Sequence, residues 1–310
     1  MTGRTVIVTG ANSGLGRAAA EALAAKGARV VLAVRNTEKG QAAASRMSGT
    51  TEVRRLDLAS LASIREFAVG WEGEIDLLIN NAGIMIPPKS LTADGFELQF
   101  GTNHLGHFAL TNLLLEDIIG RVVTMSSSGH RLGAIDFDDL QWERRPYKRW
   151  RAYGQSKLAN LLFTAELQHK LIGVGSSVKA TAAHPGYAAT NLQFHSGRRV
   201  MDALSAVGNR LLAQDADGGA LPLLYAAVGD IPGDSFAGPS GFMEQRGGAK
   251  LVKRSAAAED MDVARRLWEA SEQLTAVRFP WSAQPRSGNA KIAGEAVPTP
   301  GADHRLDHRG

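Results

Sequence analysis

Thr5-Val6-Ile7-Val8-Thr9-Gly10-Ala11-Asn12-Ser13-Gly14-Leu15-Gly16 stands almost at the start of the chain, followed by Arg17-Ala18-Ala19-Ala20-Glu21-Ala22-Leu23. Four residues that favour extended backbone run into a glycine-rich turn, and the turn runs into an alanine-rich helix. Gly10 permits the sharp turn, Gly14 lets backbone approach a pyrophosphate, and Gly16 allows the helix to pack closely. Asn12, Ser13 and Leu15 complete a loop whose amides, with the positive end of the helix dipole, face an anion. A purely structural glycine turn is the alternative, but the strand and helix that a dinucleotide cradle requires are both present.

Outward from that unit the same alternation continues. Residues 5–9, 29–34, 52–56, 75–80, 121–125 and 178–183 read as strands, short and rich in Val, Ile and Leu, with little polar alternation. Strands covered on both faces have this composition. Residues 14–26, 37–47, 60–69, 91–118 and 152–172 carry helical periodicity between them. The pattern predicts an α/β fold: a single Rossmann-type doubly wound parallel sheet of about seven strands, with helices on both faces. Later, 235–238 reads as a last strand, and 216–228 and 259–275 read as helices. Residues 1–280 are expected to form one dinucleotide-binding domain, including a helical substrate lid around 187–214. From 281 to 310, Pro, Gly and charge predominate, and a flexible tail is expected.

Composition narrows the function. The 310 residues contain no cysteine, so disulfides, thiol catalysis and thiolate metal sites are excluded. A formal charge of +4 with scattered basic residues gives no stripe for nucleic acid. No apolar run approaches the roughly 18 residues of a membrane span, and the first run is too short for a signal peptide. The expectation is a soluble, cytoplasmic protein. The tail's Asp303-His304 and Asp307-His308 read as part of a flexible end, and no metal is expected.

Cofactor choice turns on the end of the second strand. An NAD site places an acid there for the ribose hydroxyls, whereas this chain has Ala33-Val34-Arg35-Asn36. Arg35, helped by Arg17, suits the 2′-phosphate of NADP(H); a solvated strand-end arginine is the other reading, and NAD(H) stays open. Asp57-Leu58 closes the third strand where adenine would lie, although an acid there also suits a helix N-cap. Asn80-Asn81-Ala82-Gly83 ends the fourth, with Asn81 placed to lock strand ends together and Ala82 and Gly83 small enough to sit against a cofactor.

Tyr153-Gly154-Gln155-Ser156-Lys157 places a phenol and an ammonium one helical turn apart. An ammonium nearby should draw the phenol pKa down from about 10 towards the working range. Ser126-Ser127-Ser128 follows the fifth strand and offers a hydroxyl for a substrate oxygen; serines in such a place also simply cap or turn. Asn103, a poor helix former inside a helical stretch, is expected to bend it and to support a proton relay. His104 and His107 read as packing residues, and His184 as the residue before a turn.

These segments together resemble the short-chain dehydrogenase/reductase family, from about Thr5 to about Thr190. The matching pieces are Thr9 to Gly16, Asn80 to Gly83, Asn103, the serine cluster, Tyr153 with Lys157, and Pro185-Gly186 with Thr190. The resemblance implies that Tyr153 is the general acid/base and that Lys157 also binds the nicotinamide ribose. It implies that Asn103 anchors a water relay, and that Pro185, Gly186 and Thr190 contact cofactor. It points to Ser127 within the cluster, with Ser126 as the fallback. Ser127 and Tyr153 lie 26 positions apart, further than is usual in the family. The extra segment 136–145 is similar to the branch holding retinol dehydrogenases, protochlorophyllide reductases and WW-domain oxidoreductases.

The expected activity is hydride transfer between a nicotinamide and a carbonyl or alcohol carbon of a small substrate. The lid carries Leu192, Phe194, Val200, Met201, Leu204, Val207, Leu211 and Leu212, which suits a lipophilic compound or merely packs the lid down. Photoreduction is disfavoured by the missing cysteine. A dinucleotide-binding redox sensor or scaffold is the competing class. Relatives pair through helices like 152–172 into dimers or tetramers; the extra segment stands in the way of that surface, so the oligomeric state is open.

Overall fold

The computed structural model describes residues 1–186 and 216–283. The lid at 187–214, Thr190 and the tail beyond residue 283 lie outside them. The chain divides into two compact units, Met1–Pro280 and Trp281–Gly310; the sheet and the site both belong to the first.

One sheet of eight strands runs in the order β3-β2-β1-β4-β5-β6-β7-β8. Its strands are β1 Thr5–Thr9, β2 Arg29–Val34, β3 Thr50–Arg55, β4 Ile75–Asn80, β5 Ile118–Met125, β6 Lys179–Ala183, β7 Phe236–Pro239 and β8 Ala249–Leu251. All neighbours pair parallel except β7 with β8. The parallel doubly wound sheet is as expected, with β8 added: three residues, only partly buried, joined to β7 by a hairpin. Its apolar signal is too brief to read in sequence. The order reverses between β1 and β4, so the crevice at their carboxyl ends is the switch point where ligands bind in such sheets.

The helices are α1 Gly14–Ala25, α2 Thr37–Ala44, α3 Leu61–Val69, the single turn α4 Leu98–Phe100, α5 Gly106–Leu114, α6 Arg149–Gly173, α7 Ala216–Val228 and α8 Met261–Thr275. Strand residues that alternate between the two sides feed two cores. Val6, Val8, Val30, Leu32 and Ile79 pack with Ala19, Leu23, Ala43 and Leu223 from α1, α2 and α7. Phe100, Leu105, Leu158, Leu162, Ala182 and Phe236 pack with Leu267 from α8. None of the described helices is long and apolar enough to cross a membrane.

The continuous helix expected over 91–118 does not form. Leu91 instead bridges Glu97, and the buried Glu97 carboxylate accepts from the backbone N–H groups of Gln99 and Phe100, which starts the helix at Leu98. Residues Gly101–Leu105 then wind as a π-helical turn, with Asn103 at its centre, before α5 begins. The bend expected from Asn103 is therefore a widened turn, the form such insertions take at functional sites.

Every residue of α6 from Ala152 to Leu167 is buried. Phe163 stacks on Trp268 of α8 with ring centroids 5.7 Å apart, and His104 meets Ser271 at 2.9 Å. The extra segment closes over the start of α6: Gln155 Nε2 donates to Leu140 O at 2.8 Å. The extra segment thus lies on the start of the helix through which relatives pair.

Candidate active site

The glycine turn is built by steric exclusion. A Cβ at Gly16 would lie 2.3 Å from Asn81 Nδ2 and 2.8 Å from the Gly10 carbonyl, and Gly10 itself has φ +68°. Asn81 Nδ2 donates to Thr9 O at 2.8 Å, so the amide does lock β4 to β1. The buried Thr9 hydroxyl accepts from both Asn81 N and Ala82 N at 2.9 Å. Its proton then goes to His107 Nε2, 3.0 Å away, because His107 Nδ1–H donates to Asn103 O at 3.0 Å. Burial keeps that imidazole neutral, with its pKa pushed down to about 4. His107 thus links the cradle to the π-helical turn. Nothing in its sequence position separated it from a packing histidine; only its spacing of four from Asn103 hinted at the bond.

At the mouth of the turn, Ser13 occupies the N-cap of α1 with extended backbone, but its side chain makes no cap bond, and the first turn holds no acid. Those amides face outward as an anion site requires. Gly10 N donates to Ala33 O at 2.8 Å, which fixes the end of β2 beside the cradle, and Arg35 follows two residues on, exposed. Arg17 pairs with Glu21 along α1 at 3.3 Å, both side chains partly exposed. Asp57 Oδ1 accepts from Ala59 N at 3.0 Å, a turn role, while the cap of α3 falls to Ser60; Leu58 beside it is buried. A nicotinamide dinucleotide fits this arrangement, since glycine where a Cβ would collide and uncapped amides are what close approach of phosphate needs.

Tyr153 is 7% exposed, one turn before the buried Lys157, whose Nζ lies 5.8 Å from the phenol ring centroid. Lys157 Nζ donates to Met125 O at 3.1 Å, as does Asn160 Nδ2 at 2.9 Å. Burial pushes the Lys157 pKa down to about 8. It also raises the Tyr153 pKa, an effect that a hydrogen bond from Ser127 opposes. The phenol is therefore raised, not drawn down as the spacing suggested: burial outweighs the hydrogen bond from Ser127.

The two front serines have different surroundings. Ser126 is buried and donates to the Lys157 carbonyl at 2.8 Å, stitching β5 to α6. Ser127 accepts from Gly129 N at 3.1 Å and meets the Tyr153 phenol. Their approach depends on Gly154, where a Cβ would lie 2.9 Å from the Gly129 carbonyl. Asn103 turns its side chain to the cradle loop: Oδ1 accepts from Ile84 N at 2.8 Å, and Nδ2 donates to Ile84 O at 3.0 Å and Ser156 Oγ at 2.9 Å. Its amide ties the segment after Gly83 to α6. Pro185 and Gly186 follow β6, where Gly186 N donates to His184 Nδ1 at 3.2 Å and His184 Nε2 donates to Glu244 at 3.0 Å.

The extra segment is braced by contacts that the sequence did not reveal. Asp139 accepts from the N–H groups of Glu143 (2.6 Å), Arg144 (3.3 Å) and Arg145 (3.2 Å), and Arg145 lies 3.7 Å over the Trp142 ring. Tyr147 donates to Glu97 at 2.7 Å and accepts from Gln99 at 2.9 Å. Gln99 in turn accepts from Ile86 N at 2.8 Å. The Asp139 contacts are local, but Tyr147 meets Glu97 and Gln99 about 50 residues before it, so no local pattern marks that half of the cluster.

A family model described as short chain dehydrogenase matches residues 4–199. Human retinol dehydrogenase 13 is 45% identical over 297 residues, covering 90% of this chain and 86% of that protein. Human retinol dehydrogenase 11 is 41% identical over 287 residues, covering 88% and 86%. A crystal structure from Mycobacterium paratuberculosis shares 53% identity and a TM-score of 0.80, covering 90% of this chain and 96% of that one. The chain belongs to the short-chain dehydrogenase/reductase family, in its retinol dehydrogenase-like branch, and is an oxidoreductase.

Proposed function

We propose that the protein reduces a small lipophilic carbonyl compound, or oxidises the corresponding alcohol, with NADP(H). The cofactor reading rests on the Gly10–Ala33 hydrogen bond, which brings the end of β2 to the phosphate cradle and puts an exposed arginine, not an acid, beside it. The substrate reading is supported by Ile84-Met85-Ile86-Pro87, a half-buried apolar run directly after Gly83. It is supported also by relatives named as retinol dehydrogenases.

A bound nicotinamide supplies or takes the hydride. Ser127 holds the substrate oxygen, and Tyr153 exchanges the proton at that oxygen. A phenol raised by burial is protonated at neutral pH, the form that donates to a carbonyl oxygen; as phenolate it would take the proton of an alcohol in the reverse direction. Lys157 supports the phenol from behind, anchored on Met125 O, while Asn103 fixes the Ile84 loop that flanks them.

Fluorescence titration with NADPH and NADH tests the cofactor. The wild type should prefer NADPH, and Arg35→Ala should weaken NADPH by about 10-fold or more, as loss of a charge-assisted bond predicts, with NADH unchanged. Micromolar binding of neither nucleotide would refute the reading and leave the scaffold class in front.

A further inference from the structure

We propose that His130 is a positioning residue for Ser127, fixing the serine hydroxyl at Tyr153 by tying its carbonyl to the strap that follows β8. The inference rests on the oxidoreductase reading above.

His130 is 1% exposed and lies in the short 3-10 turn Ser128–Leu132. Its Nδ1 is 2.7 Å from Ser127 O, and its Nε2 is 3.2 Å from Ser255 N. A carbonyl can only accept and a backbone N–H can only donate, so both contacts demand the same neutral tautomer, with the proton on Nδ1. Burial, which lowers the His130 pKa, keeps it in that form. The Ser127 carbonyl also accepts from His130 N at 3.0 Å, so one residue fills both of its lone pairs. The ring edge meets Phe236 of β7 at 5.7 Å between centroids, which leaves it little room to rotate.

The far end of the tether is itself held. Arg131 donates to Lys253 O at 3.1 Å, and Arg254 pairs with Asp234 at 2.6 Å. The serine turn is therefore clamped from two sides, by α6 through the close approach at Gly154 and by residues 253–255 through His130. Ser127 has no other side-chain restraint of this kind among the described residues: its hydroxyl is committed to Gly129 N and the phenol.

Asparagine and glutamine separate the two contacts. In His130→Asn the amide nitrogen takes the place of Nδ1 and can still donate to Ser127 O; in His130→Gln the amide reaches instead towards Ser255, where its oxygen can accept from the Ser255 N–H. The test measures kcat and KM with NADPH and retinaldehyde, together with hydrogen exchange of the Gly129 amide by NMR, in wild type, His130→Ala, His130→Asn and His130→Gln. Misplacement on the scale of an ångström lowers turnover by up to about 100-fold. Alanine and glutamine should therefore lose about 10- to 100-fold in kcat with KM for NADPH unchanged, and exchange Gly129 faster; asparagine should restore both to within about threefold of wild type. Equal kcat in the wild type and alanine variants, or an asparagine variant as impaired as alanine, would overturn the proposal. If the wild type itself reduces no carbonyl, the activity reading fails by itself. Gly129 exchange then decides the positioning: faster in Ala and Gln but not Asn sustains it, and unchanged in all three refutes it.

Discussion

The two ends of the site are built on opposite plans. At the cradle, α1 begins under a serine that does not cap it, whereas α2, α3 and α8 begin under Asn36, Ser60 and Asp260, whose side chains all accept from the first turn. At the catalytic end the buried polar groups are tied to the chain's own backbone: Ser126 to Lys157 O, Lys157 and Asn160 to Met125 O, Asn103 to Ile84. An anion site needs donors left for its ligand, while proton transfer needs donors and acceptors already fixed in place. Substitutions at the first should therefore be read in nucleotide affinity, and at the second in turnover or stability.

Tyr153→Phe should separate the two ends furthest. Loss of the general acid should lower kcat by about 10²- to 10⁴-fold while leaving the NADPH dissociation constant within about twofold, as a steady-state assay beside a binding titration will show. A twofold change in kcat would remove Tyr153 from the chemistry. Next comes the serine pair. Ser127→Ala should lose about 100-fold in kcat, as removal of one donor to a reacting oxygen does, with little change in melting. Ser126→Ala should do the reverse, retaining turnover but losing about 0.5–1.5 kcal/mol of stability with the buried hydrogen bond that joins β5 to α6; chemical denaturation separates the two. On the cradle side, Gly16→Ala forces a Cβ against Asn81, and about 1–3 kcal/mol of overpacking should appear as weaker NADPH binding with a lowered unfolding midpoint. An unchanged affinity would mean that the lock between Asn81 and Thr9 does not shape the turn.

A different kind of change comes with pH. His104 is held down to about 3, and His107 and His184 to about 4, chiefly by burial. Their folded pKa values lie below the unfolded value of about 6.5, so the unfolded chain binds more protons in between. Stability is then full above about pH 6.5 and falls progressively as pH drops towards 4. Urea midpoints measured from pH 7 to pH 4 should decline throughout that window; a flat profile down to about pH 4.5 would show that these histidines are solvated.

Much of the molecule was legible from the chain alone, for a physical reason. The cradle and the Tyr153–Lys157 pair are local: their chemistry depends on residues within one turn of each other, so spacing carries it. The β1, β2 and β4 boundaries, and α7, follow from apolar runs ended by glycine, asparagine or charge. What sequence could not show depends on partners far along the chain. Glu97 became a helix start because Tyr147 and Gln99 complete its shell, and that ended the helix expected over 91–118. The two roles of Ser126 and Ser127 were set by what lies behind each. The phenol pKa went the other way because spacing reports how near the ammonium is, not how deeply both groups are buried.

Hydride transfer itself is tested most directly by following the label from NADPH with both C4 hydrogens of the nicotinamide replaced by deuterium to retinaldehyde. One deuterium should appear at the carbinol carbon of the product made by the wild type, and none should be transferred by Tyr153→Phe. Tight NADPH binding with no label in the product of this or any other lipophilic aldehyde would contradict the assignment.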